Sequence, residues 1–253
     1  MLDISVVIIG KNEAHIIGET IRRAQTITND VIVVDSGSTD DSPQIIIDLK
    51  ATLLQTSWDG YGQNKNKGIA LAKHPWILSI DADEHADAEM VKAISRLVPP
   101  NEYTVYRIAR KNFLGNKQIR YGEWASDAPI RLFNKKTVQW NHDAVHEQLK
   151  LPPGSKVEKI GGSLLHYTIK DLADYAQKTT RYAMLGASLY YHRGKKAGFI
   201  KRRISPGFAF FSNYILKRGF LDGKEGYLIA KMTAFYTFLK YQRLYELHHN
   251  STG

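Results

Sequence analysis

The sequence predicts an α/β protein built on an open, mostly parallel sheet with helices on both faces. Two observations carry that expectation. Short β-branched runs alternate with amphipathic stretches from residue 4 to residue 81, the rhythm of strand–helix–strand units. The first, second and fourth runs are apolar at nearly every position, as strands covered on both faces must be.

In chain order, residues 4–9 (Ile-Ser-Val-Val-Ile-Ile) form the first strand and break at Gly10-Lys11-Asn12-Glu13. A helix from about Ala14 to Gln25 turns Ile16, Ile17, Thr20, Ile21 and Ala24 to one side. Residues 31–34 are the second strand, running into Asp35-Ser36-Gly37-Ser38-Thr39-Asp40-Asp41, where Asp40 or Asp41 can cap a helix beginning near Ser42-Pro43. Thr52 to Gln55 is a third strand, Gly62 to Lys73 a helix and Trp76 to Ile80 a fourth strand. Tyr103 to Arg110 alternates as a strand, and Asn112 to Asn116 reads as a turn. From Asp171 to about Tyr191, and again from Lys224 to Leu247, the spacing is helical.

Charge divides the chain of 253 residues. Its formal net charge is +10, yet residues 1–170 hold 21 Lys/Arg against 20 Asp/Glu, and residues 171–253 hold 14 against 5. A near-neutral catalytic domain (1–170) and a basic, aromatic-rich helical appendage (171–253) are the expected organisation, the appendage facing something anionic. Six basic residues fall within 193–203 with no acid. Aromatics follow at helical spacing rather than as a stacking platform, which suits an interfacial helix pair on an anionic membrane surface and not nucleic acid; the plain alternative is a helical appendage whose charges are merely solvated. There is no cysteine, hence no disulfide framework or thiolate metal site. No apolar run approaches a membrane span, and the first residues enter a strand without the pattern of a signal peptide, which points to the cytoplasm.

Strand ends are where open α/β sheets bind ligands. The fourth strand ends in Asp81-Ala82-Asp83-Glu84. Carboxylates two apart at a strand end suit a hard divalent cation, Mg²⁺ or Mn²⁺, that bridges protein to a diphosphate. Asp35 can accept from a nucleobase N–H or a ribose hydroxyl. Gly-x-Gly-x-x-Gly and Walker A patterns are both absent, which leaves a metal-assisted nucleoside-diphosphate site. The plain alternative is an acidic turn, with Asp87 capping the next helix.

Residues 4–13, 31–41 and 78–84 resemble the three nucleotide-sugar motifs of family 2 glycosyltransferases, inverting enzymes of the GT-A fold. The likeness continues through residues 59–66, 131–133, Val145-His146-Glu147 and Leu165-His166-Tyr167, and is similar to the subgroup of lipopolysaccharide-core and lipooligosaccharide β-1,4-glucosyltransferases. Gly10 departs from it, relatives often having Thr there. The resemblance implies a UDP-sugar donor, glucose by default, a glycolipid or polysaccharide acceptor and a divalent cation. It assigns Asn12, Glu13, Asp35, Ser36, Gly37, Lys65, Asp81, Ala82 and Asp83 to the nucleotide sugar, and Asp83 with His166 to the metal. Trp124, Arg131 and His146 fall to the acceptor, His146 competing as a metal ligand. Inversion needs a base for the acceptor hydroxyl. Asp127 matches best, ahead of Glu147 and then Glu123, while an ordinary loop acid pairing with Arg131 is the other reading of Asp127. A cytoplasmic enzyme peripheral to the inner membrane face follows from a lipid-linked acceptor. Transfer to a polyprenyl phosphate and a non-catalytic nucleotide- or glycan-binding module remain as alternatives.

Overall fold

The computed structural model describes residues 2–125, 127–141 and 148–249. The chain forms two compact units, one of residues 1–110 with 127–166, the other of residues 111–126 with 167–253.

The first unit begins with strands β1 (Ile4–Gly10), β2 (Val31–Asp35), β3 (Thr52–Gln55) and β4 (Trp76–Asp81), and helices α1 (Ile17–Gln25), α2 (Ser42–Asp48) and α3 (Tyr61–Leu71). Then come β5 (Glu84–Ala86), α4 (Ala88–Ser95) and β6 (Thr104–Leu114), the last continuing into the second unit, where its end pairs with β7 (Lys117–Gln118). β8 (Ile130–Asn134), β9 (Gln139–Trp140), β10 (Leu149–Lys150) and the long β11 (Lys156–Ile169) complete the strands. Among the described residues the main sheet runs β3-β2-β1-β4-β8-β6-β11-β5. Its first four strands are parallel, as the apolar runs predict; beyond them β8 pairs antiparallel with β4 and with β6, and β11 antiparallel with β5.

Alternation along the buried strands feeds two apolar layers. Val6, Ile8, Val33 and Leu78 face Ile17 and Ile21 of α1, Ile46 of α2 and Met90 of α4. Their neighbours Val7, Ile32, Val34 and Ile77 face the opposite way, against Ile69 of α3 and against Phe133 and Trp140. Gly68 lets α3 lie close to the sheet, since a Cβ there would come within 2.6 Å of Val7 and Val34. Side chains set the helix starts: Asp40 accepts from Ser42 N at 3.0 Å, and Asp87 caps α4 by accepting from Met90 N at 2.9 Å.

The second unit holds α5 (Leu172–His192), capped by Asp171, then α6 (Phe199–Arg203), α7 (Ser205–Phe211), a π turn over 212–216 and α8 (Gly223–His249). α5 and α8 pack together around Ala187, Leu244 and their tyrosines. Ile119, Ile169, Tyr175 and Ile229 form its other apolar cluster. Among the described residues no helix is long and apolar enough to cross a membrane.

Candidate active site

Parallel pairing aligns three strand ends. Gly10 stands beside Asp35, and Ile9 beside Asp81, so the turns after β1, β2 and β4 open on one edge of the sheet. Each is tied to its neighbour. Asn12, at φ 58°, accepts from Thr39 N at 2.8 Å through Oδ1, and its own N–H donates to Ser38 Oγ at 2.8 Å. Asp35 is buried and accepts from both the N–H and the hydroxyl of Ser38, while Ser36 Oγ accepts from Asn64 at 2.9 Å. Glu13 N donates to Ser42 Oγ at 3.0 Å, and Gly37 takes the positive φ of 82° at the tip of the second turn.

The third turn is held from behind. Thr20, fully buried on α1, donates its hydroxyl to the Ala82 carbonyl at 2.5 Å. Gly10 makes the approach possible: a Cβ at that position would sit 2.7 Å from Ala82 Cβ. Residues 81–83 thus pass close to the backbone at Gly10.

Below the turn lies a chain of alternating charges. Asp81 Oδ2 accepts from Arg131 Nη2 at 2.7 Å, and Lys65 Nζ stands 3.3 Å from Oδ1. Glu84 has no exposed surface; its Oε1 accepts from Arg131 at 2.5 Å and Arg110 at 3.2 Å, and its Oε2 from Asp81 N at 3.1 Å. Arg110 then grips Asp127 in a bidentate pair, at 2.9 and 2.6 Å. Burial opposes ionisation of Asp81, but Arg131 and Lys65 outweigh it and hold the carboxyl well below its usual range. Asp81 and Glu84 raise the pKa of Arg131 against its burial.

Next to this chain, Asp83 Oδ2 is 3.4 Å from His166 Nε2. The pairing of β5 with β11 sets His166 opposite Glu84 and so brings it to the acids. Burial disfavours the imidazolium, yet the hydrogen bond and charge of Asp83, with Glu84, raise the pKa of His166. A carboxylate oxygen beside an imidazole nitrogen is a donor pair suited to Mn²⁺ or a similar ion, whose other positions oxygens of a diphosphate and water can complete. No cluster of three or more metal-binding side chains occurs among the described residues.

Several expected site residues take other places. Lys65 lies fully buried on α3 beneath Asp81, its Nζ 4.5 Å from the centre of the Trp140 ring, and is paired with Asp81 rather than exposed to a ligand. Arg131, expected to meet the acceptor, is buried and engaged by Asp81 and Glu84; it supports the acids instead. Nor does it pair with Asp127, whose partner is Arg110. Trp124 belongs to the second unit, where it is partly buried against Tyr175 at 5.3 Å between ring centres. Glu123, in that unit, pairs with Lys217 and accepts from Thr233. His146 and Glu147 lie outside the described residues. Glu84, Arg110 and Thr20 were not expected; only Glu84 carried a signal, as the third acid of its triplet.

The sequence profile of glycosyl transferase family 2 matches residues 5–148. The chain is 29% identical to an uncharacterized glycosyltransferase of Rickettsia felis, over 97% of this chain and 90% of that protein. Among solved structures it is similar to the 1–349 fragment of Staphylococcus aureus TarS in complex with UDP-GlcNAc, with 12% identity, TM-score 0.48, and 99% of this chain and 92% of that one covered. It is also similar to glucosyl-3-phosphoglycerate synthase of Mycobacterium tuberculosis with Mn²⁺, UDP and glucosyl-3-phosphoglycerate, with 16% identity, TM-score 0.47, and 77% and 81% covered.

Proposed function

The chain belongs to glycosyl transferase family 2, and from that membership we propose an inverting UDP-sugar transferase, glucose its default sugar, acting on a lipopolysaccharide-core or related glycolipid acceptor. The observation that carries the proposal is the convergence of the Asp81–Glu84 turn, His166 and Asp127 within the first unit. Asn12, Asp35 and Ser36 frame the nucleotide side through the linked turns after β1 and β2. Asp83 and His166 would hold a divalent cation, which when bound neutralises the departing diphosphate. Asp127 is the base. Half-exposed, it keeps lone pairs for an acceptor hydroxyl although both oxygens already accept from Arg110. Arg110 fixes its direction, so the proton leaves along a defined line as the acceptor oxygen attacks the anomeric carbon. An acceptor anchored in lipid places the enzyme on the inner face of the cytoplasmic membrane, drawn there by residues 193–203.

A panel of UDP- and other nucleotide sugars, scored for hydrolysis with Mn²⁺ or Mg²⁺ and then for transfer to extracted glycolipid, tests the reading. Turnover of UDP-glucose above the other donors is expected. Metal-independent turnover, or none with any UDP-sugar, overturns it.

A further inference from the structure

The second unit carries a basic, apolar surface apart from the acids of the first unit. From Arg193 to Arg218 the chain has eight basic residues and no acid. Ile200, Ile204, Phe208, Phe211 and Ile215 follow at intervals of four, four, three and four, one face of a helical path through α6, α7 and the π turn. A stripe with that spacing normally faces a core. Here it faces outward: Ile200 is 66% exposed, Ile204 57% and Phe208 61%, with Phe211 and Ile215 close to half.

This stretch is firmly mounted. Asn213 is buried, donates to Thr233 at 2.9 Å and accepts from Glu123 N, and Lys217 O accepts from Gly122 N at 3.0 Å. Asp222, also buried, accepts from the N–H groups of Arg120 and Tyr121. The apolar stripe is thus presented by a scaffold already ordered, which lowers the entropic cost of binding anything to it. Charge identifies the occupant. Arg202 is turned inward onto the Tyr245 ring at 3.7 Å, but Lys196, Lys201, Arg203 and Arg218, in the same stretch of chain as the stripe, are exposed. Large apolar side chains rimmed by cations complement anionic headgroups above acyl chains.

We propose that residues 199–216 form an inserting surface for an anionic lipid bilayer, lying in the interface with Ile204, Phe208 and Phe211 below the headgroups. Its use in sugar transfer rests on the lipid-linked acceptor proposed above; its binding to lipid does not. Attachment is then more than electrostatic. Exposed charges are screened at 1 M salt, where the Debye length is about 3 Å, whereas inserted side chains are not.

Vesicles of phosphatidylcholine with or without phosphatidylglycerol supply the test, using the full chain. Wild type should bind the anionic vesicles at low salt and keep a salt-resistant fraction at 1 M. Replacing Ile204, Phe208 and Phe211 together by Ser should weaken binding roughly tenfold or more and abolish that fraction. Lys196→Gln, Lys201→Gln and Arg203→Gln together should weaken low-salt binding and spare the resistant fraction of what binds. In a separate Phe208→Trp variant, brominated acyl chains in anionic vesicles should quench the added fluorescence. Serine variants that bind like wild type overturn the proposal, and so does an unquenched Phe208→Trp signal. A wild-type dimer that the serine changes convert to monomer would assign the stripe to a second copy instead. UDP-sugar hydrolysis in solution is measured alongside: its absence with lipid binding intact refutes the proposed transferase reading alone, and its persistence without lipid binding refutes the surface alone.

Discussion

Glu84→Gln isolates the buried charge chain. Glu84 is fully buried, and its carboxylate serves three donors: Arg131 and Arg110 on Oε1 and the Asp81 N–H on Oε2. Glutamine matches the shape but has one accepting oxygen. If that oxygen serves the arginines, the amide NH₂ meets the Asp81 N–H, donor against donor, and Arg131 and Arg110 lose a charge partner. Removing one member of a buried pair costs about 3–5 kcal/mol. The low end applies, because Arg131 keeps Asp81 and Arg110 keeps Asp127; the unsatisfied amide contact adds about 1 kcal/mol or more. At roughly 2–4 °C per kcal/mol for a chain of this size, the melting midpoint of the first unit should fall on the order of 10 °C. Differential scanning calorimetry is the assay, with Glu89→Gln, an exposed acid on α4, as a control expected within about 0.5 kcal/mol of wild type. The pH dependence has a definite sign. Asp81 has a depressed pKa in the fold, so its contribution is complete above the ordinary value of 3.8 and is lost as pH falls through the folded value. Between pH 5 and 7 this group should leave the midpoint unchanged. A Glu84→Gln midpoint indistinguishable from Glu89→Gln would refute the reasoning.

Three further outcomes are expected. Asp83→Ala should abolish most of the metal-dependent UDP affinity in calorimetry while the melting midpoint stays near wild type; undiminished affinity would exclude Asp83 as a metal ligand. Asp127→Asn should keep donor affinity and slow transfer by roughly a hundredfold or more, and selective loss in Glu147→Gln with normal transfer by Asp127→Asn would move the base to Glu147. Gly10→Thr should strain the 81–83 turn by about 1–3 kcal/mol and weaken UDP binding; adding Ala82→Gly should restore affinity, and if the single variant binds UDP normally the close approach has no functional weight.

The parallel half of the sheet was legible because local pattern decides it. Residues 4–9, 31–34 and 76–80 are apolar on both faces, and α1 turns Ile17, Thr20, Ile21 and Ala24 inward as its spacing predicts. Turn chemistry located the Asp81–Glu84 triplet for the same reason. What pattern does not encode is the partner of each charge. Arg131 reaches Asp81 and Glu84 across about fifty residues, through β8 pairing antiparallel with β4; Arg110 reaches Glu84 and Asp127 from β6. Those meetings depend on the register of antiparallel strands that join the sheet far along the chain, and one residue of slip would turn each side chain to the other face. Arg131 therefore looked like a residue for the acceptor until its pairing was known.

The resulting charge balance bears on how the reaction can be run. Lys65, Arg110 and Arg131 are three cations, and Asp81, Glu84 and Asp127 are three acids that engage them. With their charges matched so closely, these cations offer little net attraction to a nucleoside diphosphate. Their effect is to hold the acids in place, at a distance fixed by packed strands. Under the proposed reading, stabilising the departing diphosphate would fall to a cation held at Asp83 and His166, which stand beside the paired chain. This makes the Asp83→Ala binding experiment the sharpest of the tests: a site that drew its affinity from Lys65 and Arg131 would hold UDP without metal, and one arranged as proposed would not.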